Sequence, residues 1–377
     1  MMKKIKVGIA GTRGMSTLMG LNSIPDVEIT AVCDLNEDHL KDIAKRTGVQ
    51  KTYRVFDDML ESDIDAVIIS TPMQCHVPQT IAALEAGKHV MSEVTAGVSM
   101  DELWWLCETV EKYNKIYMFA ENYIYAPKVQ MVKNMVKAGV FGEPYYAEGM
   151  YMHNIGDLFV YPDGKTSWRS YWQCGIRGNF YPTHSLGPAM QWFPDDRVTE
   201  ISTFSPGVWN DIGLKQDSGT TTMCRTEKGK LIQIRTDCMS AHPHNMDSYY
   251  FQGTKGAFRS KAHGNDFDRI SLIGEDSPIH NMKWHDISEF SEYLPERYKN
   301  ATEEQKKAGH DGGDFFIVED FINAVRDNKQ PELDVYKACE WTAVGLLSGI
   351  SVANNGRTIE IPHFRPNTPV EEKIIKL

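Results

Sequence analysis

The 377-residue chain contains no C-x-x-C pair, and its seven cysteines are scattered. An odd, dispersed set reads as reduced thiols and not as a disulfide framework. An excess of basic residues is missing too. The formal net charge is −11, so nothing suggests a surface that grips phosphates, and nucleic acid is not expected as a main partner. Long apolar runs are absent: the longest, "WTAVGLLSGISVA", falls short of the about 20 residues that a bilayer span needs. The start, "MMKKIKVGIAGTRG", has lysines but no apolar signal core before its glycine turn. These absences point to a cytoplasmic protein with no membrane partner. The histidines of "AHPHN" (His242, His244) and the "HDGGD" stretch lack a third ligand at fixed spacing, so no metal is expected.

There is also no internal repeat and no low-complexity linker. What is present is ordinary for a globular protein: 41% hydrophobic and 24% charged residues, over a length that suits two domains. The first third alternates apolar runs with helical patterns. "KIKVGIAG", "VEITAVCD", "DAVIIST", "HVMSEV" and "KIYMFAEN" read as strands. Between them, "NEDHLKDIAKRTG" has Asn36 as N-cap and Gly48 past its end, and "SMDE" is a capping box on Ser99 and Glu102. Repeated strand–helix–strand units imply a parallel, doubly wound sheet with helices on both faces. After the helix in "APKVQMVKNMVKAGVFGEP" the pattern changes. "PYYAEGMYMH" alternates, and two hairpins are expected, turning at Lys228–Gly229 and at Lys255–Gly256. Helices follow at about 313–326 and 335–353, the second capped by Asp334. The fold class is therefore α/β followed by α+β. A dinucleotide-binding domain spans 1–123, and a substrate-binding and oligomerisation domain on an open, mostly antiparallel sheet spans 124–377.

"GTRGMS" follows the first strand, where a dinucleotide fold places its phosphate loop. Gly11 fills the first glycine position of G-x-G-x-x-G, but Arg13 stands at the second and Ser16 at the third. Gly14 would relieve the crowding, Arg13 could itself contact phosphate, and Met15 completes the loop. A bare glycine turn is the alternative. Asp34 ends the second strand, where a carboxylate accepts from the adenosine ribose hydroxyls, and no arginine beside it invites a 2′-phosphate. NAD is thus the expected cofactor.

"STPMQCHVPQTIAALEAGKHVMSEVTAG" resembles the glucose–fructose oxidoreductase/inositol dehydrogenase/MocA family, whose pattern is T-P-x-x-x-H, then A-L-E-A-G-K-H-V, then E-K-P. The resemblance implies that Thr71, Pro72, His76, Glu93 and Asn122 serve the cofactor site, and that the chain forms a homo-oligomer through its open sheet. One departure is large. The family's lysine in E-K-P is replaced here by Val94, in "EVT", and valine moves no proton. "GNFYPTHSLGP" resembles one branch of the family, the NAD-dependent glycoside hydrolases such as the bacterial α-N-acetylgalactosaminidases, which carry Y-P-T-H-G-L-G-P. That likeness implies the site residues Glu121, Tyr151, His153, Tyr181 and His184. Asn154 and Ser185 depart from the branch pattern.

In the chemistry this implies, NAD takes hydride from carbon 3 of a sugar. The new ketone acidifies the proton on carbon 2, the group on carbon 1 leaves, water adds, and the hydride returns. Histidine is suited to such proton traffic at neutral pH, and tyrosine becomes suited when its pKa is lowered. Tyr151 is the expected carbon-2 base and His184 the acceptor of the carbon-3 hydroxyl proton. His153 and Tyr181 orient or tune them. Trp168 and Arg169 are candidates for a wall and a charge at the pocket mouth, and His310 and Asp314 for hydrogen bonds to substrate hydroxyls. Three readings stand: a redox-neutral glycosidase, an NAD-dependent sugar or polyol dehydrogenase (or 3-keto sugar reductase), and a non-catalytic NAD-binding regulator. The bland alternative for each aromatic is packing in a half-buried strand.

Overall fold

Six short strands pair in parallel: β1 (Ile5–Ala10), β2 (Val27–Cys33), β3 (Lys51–Tyr53), β4 (Ala66–Ile69), β5 (His89–Glu93) and β6 (Tyr117–Ala120), in the order β3-β2-β1-β4-β5-β6. Val7 and Ile9 in β1, and every residue of β4 and β6, are buried. Such strands lie under cover on both faces, which is why they read as continuous apolar runs. The structure, a computed structural model, describes residues 4–11, 20–210, 213–239, 241–262, 266–274 and 277–366. The caps form as the sequence predicts. Asn36 accepts from the amides of Asp38 and His39, Gly48 closes the helix Glu37–Thr47 at φ 75°, and Ser99 starts the helix Met100–Tyr113.

The second sheet has nine strands: β7 (Pro144–Met152), β8 (Val198–Phe204), β9 (Thr220–Thr226), β10 (Leu231–Asp237), β11 (Asn245–Gly253), β12 (Gly256–Arg259), β13 (Arg269–Leu272), β14 (His285–Asp286) and β15 (Ile359–Glu360). Their order is β14-β13-β12-β11-β7-β10-β9-β8-β15, with only the β7–β10 pair parallel. Burial alternates along the strands. In β7, Ala147 and Tyr151 are buried while Glu148 and Met150 are half-buried on the other face. The helix Thr183–Met190 lies across β7, β10 and β11 on the covered face, and all eight of its residues are buried. Next to it Trp192, completely buried, meets the rings of Tyr249, Phe251 and Phe258 edge-on at 5.5–6.1 Å.

The chain groups into two units, Met1–Tyr125 with Ala301–Cys339, and Ala126–Asn300 with Glu340–Leu377. This differs from a single cut at residue 123. The helix Gly313–Asp327 packs on the turn Asn122–Tyr125, Arg326 pairs with Asp26, and the Phe119 amide donates to the Leu333 carbonyl. The first hairpin turns at Gly229 (φ 77°), as expected. The second turns one residue earlier than expected, at Thr254–Lys255, because Gly253 already pairs with Gly256. Gly256 answers to packing instead: a Cβ there would sit 2.6 Å from the Ser271 carbonyl oxygen on β13. The seven cysteines are free thiols. Among the described residues no helix is long and apolar enough to cross a membrane.

Because Trp192 fills the centre of the second unit's core, Trp192→Ala should cost about 3–5 kcal/mol of stability. A lowered urea midpoint at unchanged slope checks this; a midpoint within error of the parent would contradict the packing described.

Candidate active site

The first unit's candidate residues gather at one edge of its sheet. Gly11 follows β1, Asp34 follows β2, Thr71 and Pro72 come just after β4, Glu93 ends β5, and Glu121 and Asn122 follow β6. These are the carboxyl ends of parallel strands, around the point between β1 and β4 where strand order reverses, and open α/β sheets bind their ligands there. Gly11 has φ 88°, its amide donates to the Cys33 carbonyl, and a Cβ would lie 2.5 Å from the Ser70 carbonyl oxygen. Only glycine allows that backbone to pass. Asp34 is half-buried and accepts from the Asn36 amide at 2.8 Å, while Asn36 itself caps the helix, so Asp34 is not spent as the cap. A glycine cradle with an acidic residue one strand over fits the phosphate and ribose of a dinucleotide. Arg13, Gly14, Met15 and Ser16 lie outside the described residues.

His76 holds this edge together from behind. It is 2% exposed, and its ring nitrogens lie 2.8 Å from the Thr95 carbonyl and 2.9 Å from the Thr71 carbonyl. Burial pushes its pKa below the usual value, against the pull of those carbonyls. It ties the loop after β4 to the loop after β5. Thr71 meanwhile bonds Gln79, and Val94, at the place of the family's lysine, is buried.

In the second unit the phenols and imidazoles named from sequence meet. Tyr151 near the end of β7 lies 2.8 Å, hydroxyl to Nδ1, from His153, which continues the strand through its amide bond to the Asp237 carbonyl. The ring centroid of Tyr151 is 5.1 Å from that of His184 and 5.7 Å from that of Tyr181, and those two are 5.0 Å apart. Tyr151 and His184 form the buried end of the cluster, while His153 and Tyr181 are half-buried. His244, singled out in the sequence only as half of an incomplete metal pair, joins the cluster: its exposed ring stands 4.8 Å from His153, edge to face. No group of three metal-binding side chains occurs among the described residues.

Long-range contacts seat these rings. Gly149 lies directly beneath the helix that carries His184, and a Cβ on it would be 2.4 Å from the Ser185 carbonyl oxygen. The Tyr249 hydroxyl donates to the His184 carbonyl at 2.8 Å. Upstream, Gly178 has φ 88° against Gly349, and the Asn179 amide donates to the Ser348 hydroxyl. Asp217, buried, accepts from Arg177, from the Ser205 hydroxyl and from the Gly178 amide.

With the geometry laid out, the likeness to known proteins is specific. Residues 5–121 match the model of the oxidoreductase family, NAD-binding Rossmann fold, and residues 125–216 and 207–368 match the glycosyl hydrolase 109 C-terminal domain. A glycosyl hydrolase family 109 protein of Saccharopolyspora erythraea is 31% identical over 396 residues, covering 96% of this chain and 83% of that protein. One from Shewanella pealeana is 30% identical over 403 residues, covering 96% and 86%. The chain belongs to glycosyl hydrolase family 109. The fold is shared with levoglucosan dehydrogenase, solved with NADH, at a TM-score of 0.78 and 18% identity, over 96% of this chain and 100% of that one. It is shared also with myo-inositol 2-dehydrogenase from Lactobacillus plantarum, at 0.71 and 19%, over 95% and 100%. Family membership makes the chain an enzyme, sugar-active and NAD-dependent.

The other residues named from sequence have different settings in this family 109 chain. Glu121 is completely buried in the first unit and accepts from the Tyr123 amide at 3.1 Å. Arg169 is 8% exposed, stacked over Trp168 at 4.4 Å and hydrogen-bonded to Gln173, so its charge is built into the wall and not set on an open rim. His310 and Asp314 pair with each other and with Asn122, in the first unit. A cavity of about 490 Å³, lined by Glu148, Met150, Arg235 and Arg259 among others, opens on the face of the second sheet opposite Tyr151, and is separate from the ring cluster.

Asp217 yields a test. Burial alone would raise its pKa, but the bonds from Arg177, Ser205 and Gly178 outweigh it and hold the carboxyl below its usual range. A folded-state pKa below the unfolded one stabilises above the unfolded value, and that contribution is lost as pH falls through the folded one. Asp217→Asn should therefore cost about 1–3 kcal/mol at neutral pH. The gap between variant and parent should close on acidification below about pH 4. Thermal unfolding as a function of pH reads both, and a gap that stays constant with pH would refute the assignment.

Proposed function

We propose that this family 109 enzyme cleaves a glycoside without net redox change, with NAD held throughout the cycle. The observation that carries the reading is the joining of Tyr151, His153, Tyr181 and His184 into one cluster in a chain whose lysine position is Val94. Gly11, Asp34, Thr71, Pro72, Glu93 and Asn122 are the described residues that would hold NAD. When bound, NAD takes hydride from carbon 3 of the sugar and returns it at the end. The protein's part is proton traffic. His184 takes the proton of the carbon-3 hydroxyl. Tyr151 removes the proton on carbon 2 once carbon 3 is a ketone, with His153 beside its hydroxyl to receive the phenol proton. Tyr181 flanks both rings and fixes the sugar's orientation, with Trp168 and Arg169 forming the wall.

Assembly and location are proposals of the same standing. The exposed face of the second sheet carries Tyr146, Met150, Met223, Tyr250 and the largely exposed Phe204, a surface suited to a second copy of the chain. A cytoplasmic site of action fits a small imported glycoside or free sugar as substrate.

Incubation with a panel of nitrophenyl glycosides tests the activity. Release of nitrophenol without accumulation of NADH is expected, and Tyr151→Phe should lower the rate by about 100-fold or more. Stoichiometric NADH with no cleavage would replace this reading by the dehydrogenase one. NAD binding with neither activity would leave a regulator.

A further inference from the structure

The ring cluster of the second unit has one member, His244, to which the cycle assigns no task. We propose that His244 is a positioning residue: its ring holds the ring of His153 in the plane that keeps Nδ1 against the Tyr151 hydroxyl. The use of that hydrogen bond in catalysis rests on the glycosidase reading above; the positioning itself rests on the second sheet alone.

His244 meets His153 because of a fault in the ladder. Along β11 and β7 the pairs Gln252–Tyr146, Phe251–Ala147, Tyr250–Glu148, Tyr249–Gly149 and Ser248–Met150 keep one register. Beyond them Asn245 pairs with Met152, so three steps on β11 match two on β7. The extra residue is a β-bulge, a device that re-aims side chains and is common beside active sites. Continued without it, the register would set Asn245 across from His153 and His244 across from Asn154. With it, His244 stands across from His153. Residues directly across an antiparallel pair share a face, and a slip of one residue exchanges the faces. The bulge therefore moves His244 onto the face that carries Gly149, Tyr151 and His153. His242 is engaged elsewhere: its Nδ1 lies 2.6 Å from the Pro243 carbonyl oxygen, and its side chain lines the cavity on the opposite face.

What His153 needs is a fixed ring plane. The torsion that turns an imidazole about its Cβ–Cγ bond is broad and not confined to sharp wells, so neighbours must set it. The backbone holds only the root of the side chain, through the His153 amide bond to the Asp237 carbonyl at 2.9 Å. The ring itself meets two others: Tyr151 at 5.5 Å and 75°, and His244 at 4.8 Å and 74°. Both contacts are edge-to-face, a favoured arrangement of aromatic pairs. The Tyr151 ring is buried and packed against Tyr181 and His184. His244 supplies the second contact from an exposed ring. With two near-perpendicular neighbours the half-buried imidazole has a defined plane, and its Nδ1 stands 2.8 Å from the Tyr151 hydroxyl.

Two variants of the full-length enzyme, with NAD bound, separate the ring of His244 from its nitrogens. His244→Phe keeps a flat ring, and His244→Ala removes it. Because His244 is exposed, neither should move the thermal midpoint. On the nitrophenyl glycoside that the parent cleaves fastest, His244→Ala should lower kcat by about 10- to 100-fold with KM within about twofold, as misplacement of a proton-transfer group does. His244→Phe should keep kcat within about threefold of the parent. NMR of isotope-labelled histidine, with His153 assigned from His153→Gln, reads the positioning without turnover. The His153 Nδ1 signal should coincide in the parent and His244→Phe, and move toward that of a solvent-exposed histidine in His244→Ala. An unmoved His153 signal in His244→Ala overturns the proposal, whatever the activity. So does a His244→Phe that loses as much activity as His244→Ala, since the nitrogens and not the ring plane would then matter. If the parent makes NADH and cleaves no glycoside, the glycosidase reading fails, and the His153 signal alone decides the positioning.

Discussion

The ring cluster exists because a helix and a strand touch backbone to backbone. At Gly149 the strand β7 presents no side chain to the helix Thr183–Met190, and the Ser185 carbonyl occupies the space a Cβ would need. Any larger residue would lift the helix and carry His184 away from Tyr151, two positions further along the same strand face. The Tyr249 hydroxyl secures the other side of that contact by donating to the His184 carbonyl. The helix is buried along its whole length, so its place is set by shape and by these two contacts, not by exposed charge. The rings of the cluster are thus held by packed elements, which fixes their mutual geometry.

Much of this was legible in the sequence, and the reasons for what was not are specific. Strands β1, β4 and β6 announce themselves because burial on both faces demands unbroken apolar runs. Tyr151 and His153 are legible as a pair because a strand puts i and i+2 on one face. The caps at Asn36, Ser99 and Asp334 follow from the side chains themselves. Long-range partnerships leave no local mark. Asp217 holds the Gly178 amide across 39 residues, and Ser348 holds the Asn179 amide across 169. Strand β8 alternates weakly and was not foreseen, and the return of residues 301–339 to the first unit depends on contacts such as Arg326 with Asp26, 300 positions apart. Gly256 is the opposite case: a glycine beside a turn reads as a turn residue, although its cause is the neighbouring strand.

The two units surround their titratable side chains differently. In the second, phenols and imidazoles neighbour one another. In the first, His310 stands among Asp314, Glu93 and Glu121.

The remaining difficulty for the mechanism is the phenol. A tyrosine is a poor base near neutral pH because its hydroxyl titrates near 10. The usual remedy is an adjacent cation that stabilises phenolate. The contact that is present, hydroxyl to His153 Nδ1 at 2.8 Å, suggests a different one. If the phenol passes its proton to the imidazole as it takes the one from carbon 2, phenolate need never accumulate. That requires the imidazole to be able to accept a proton, hence to be neutral at that moment.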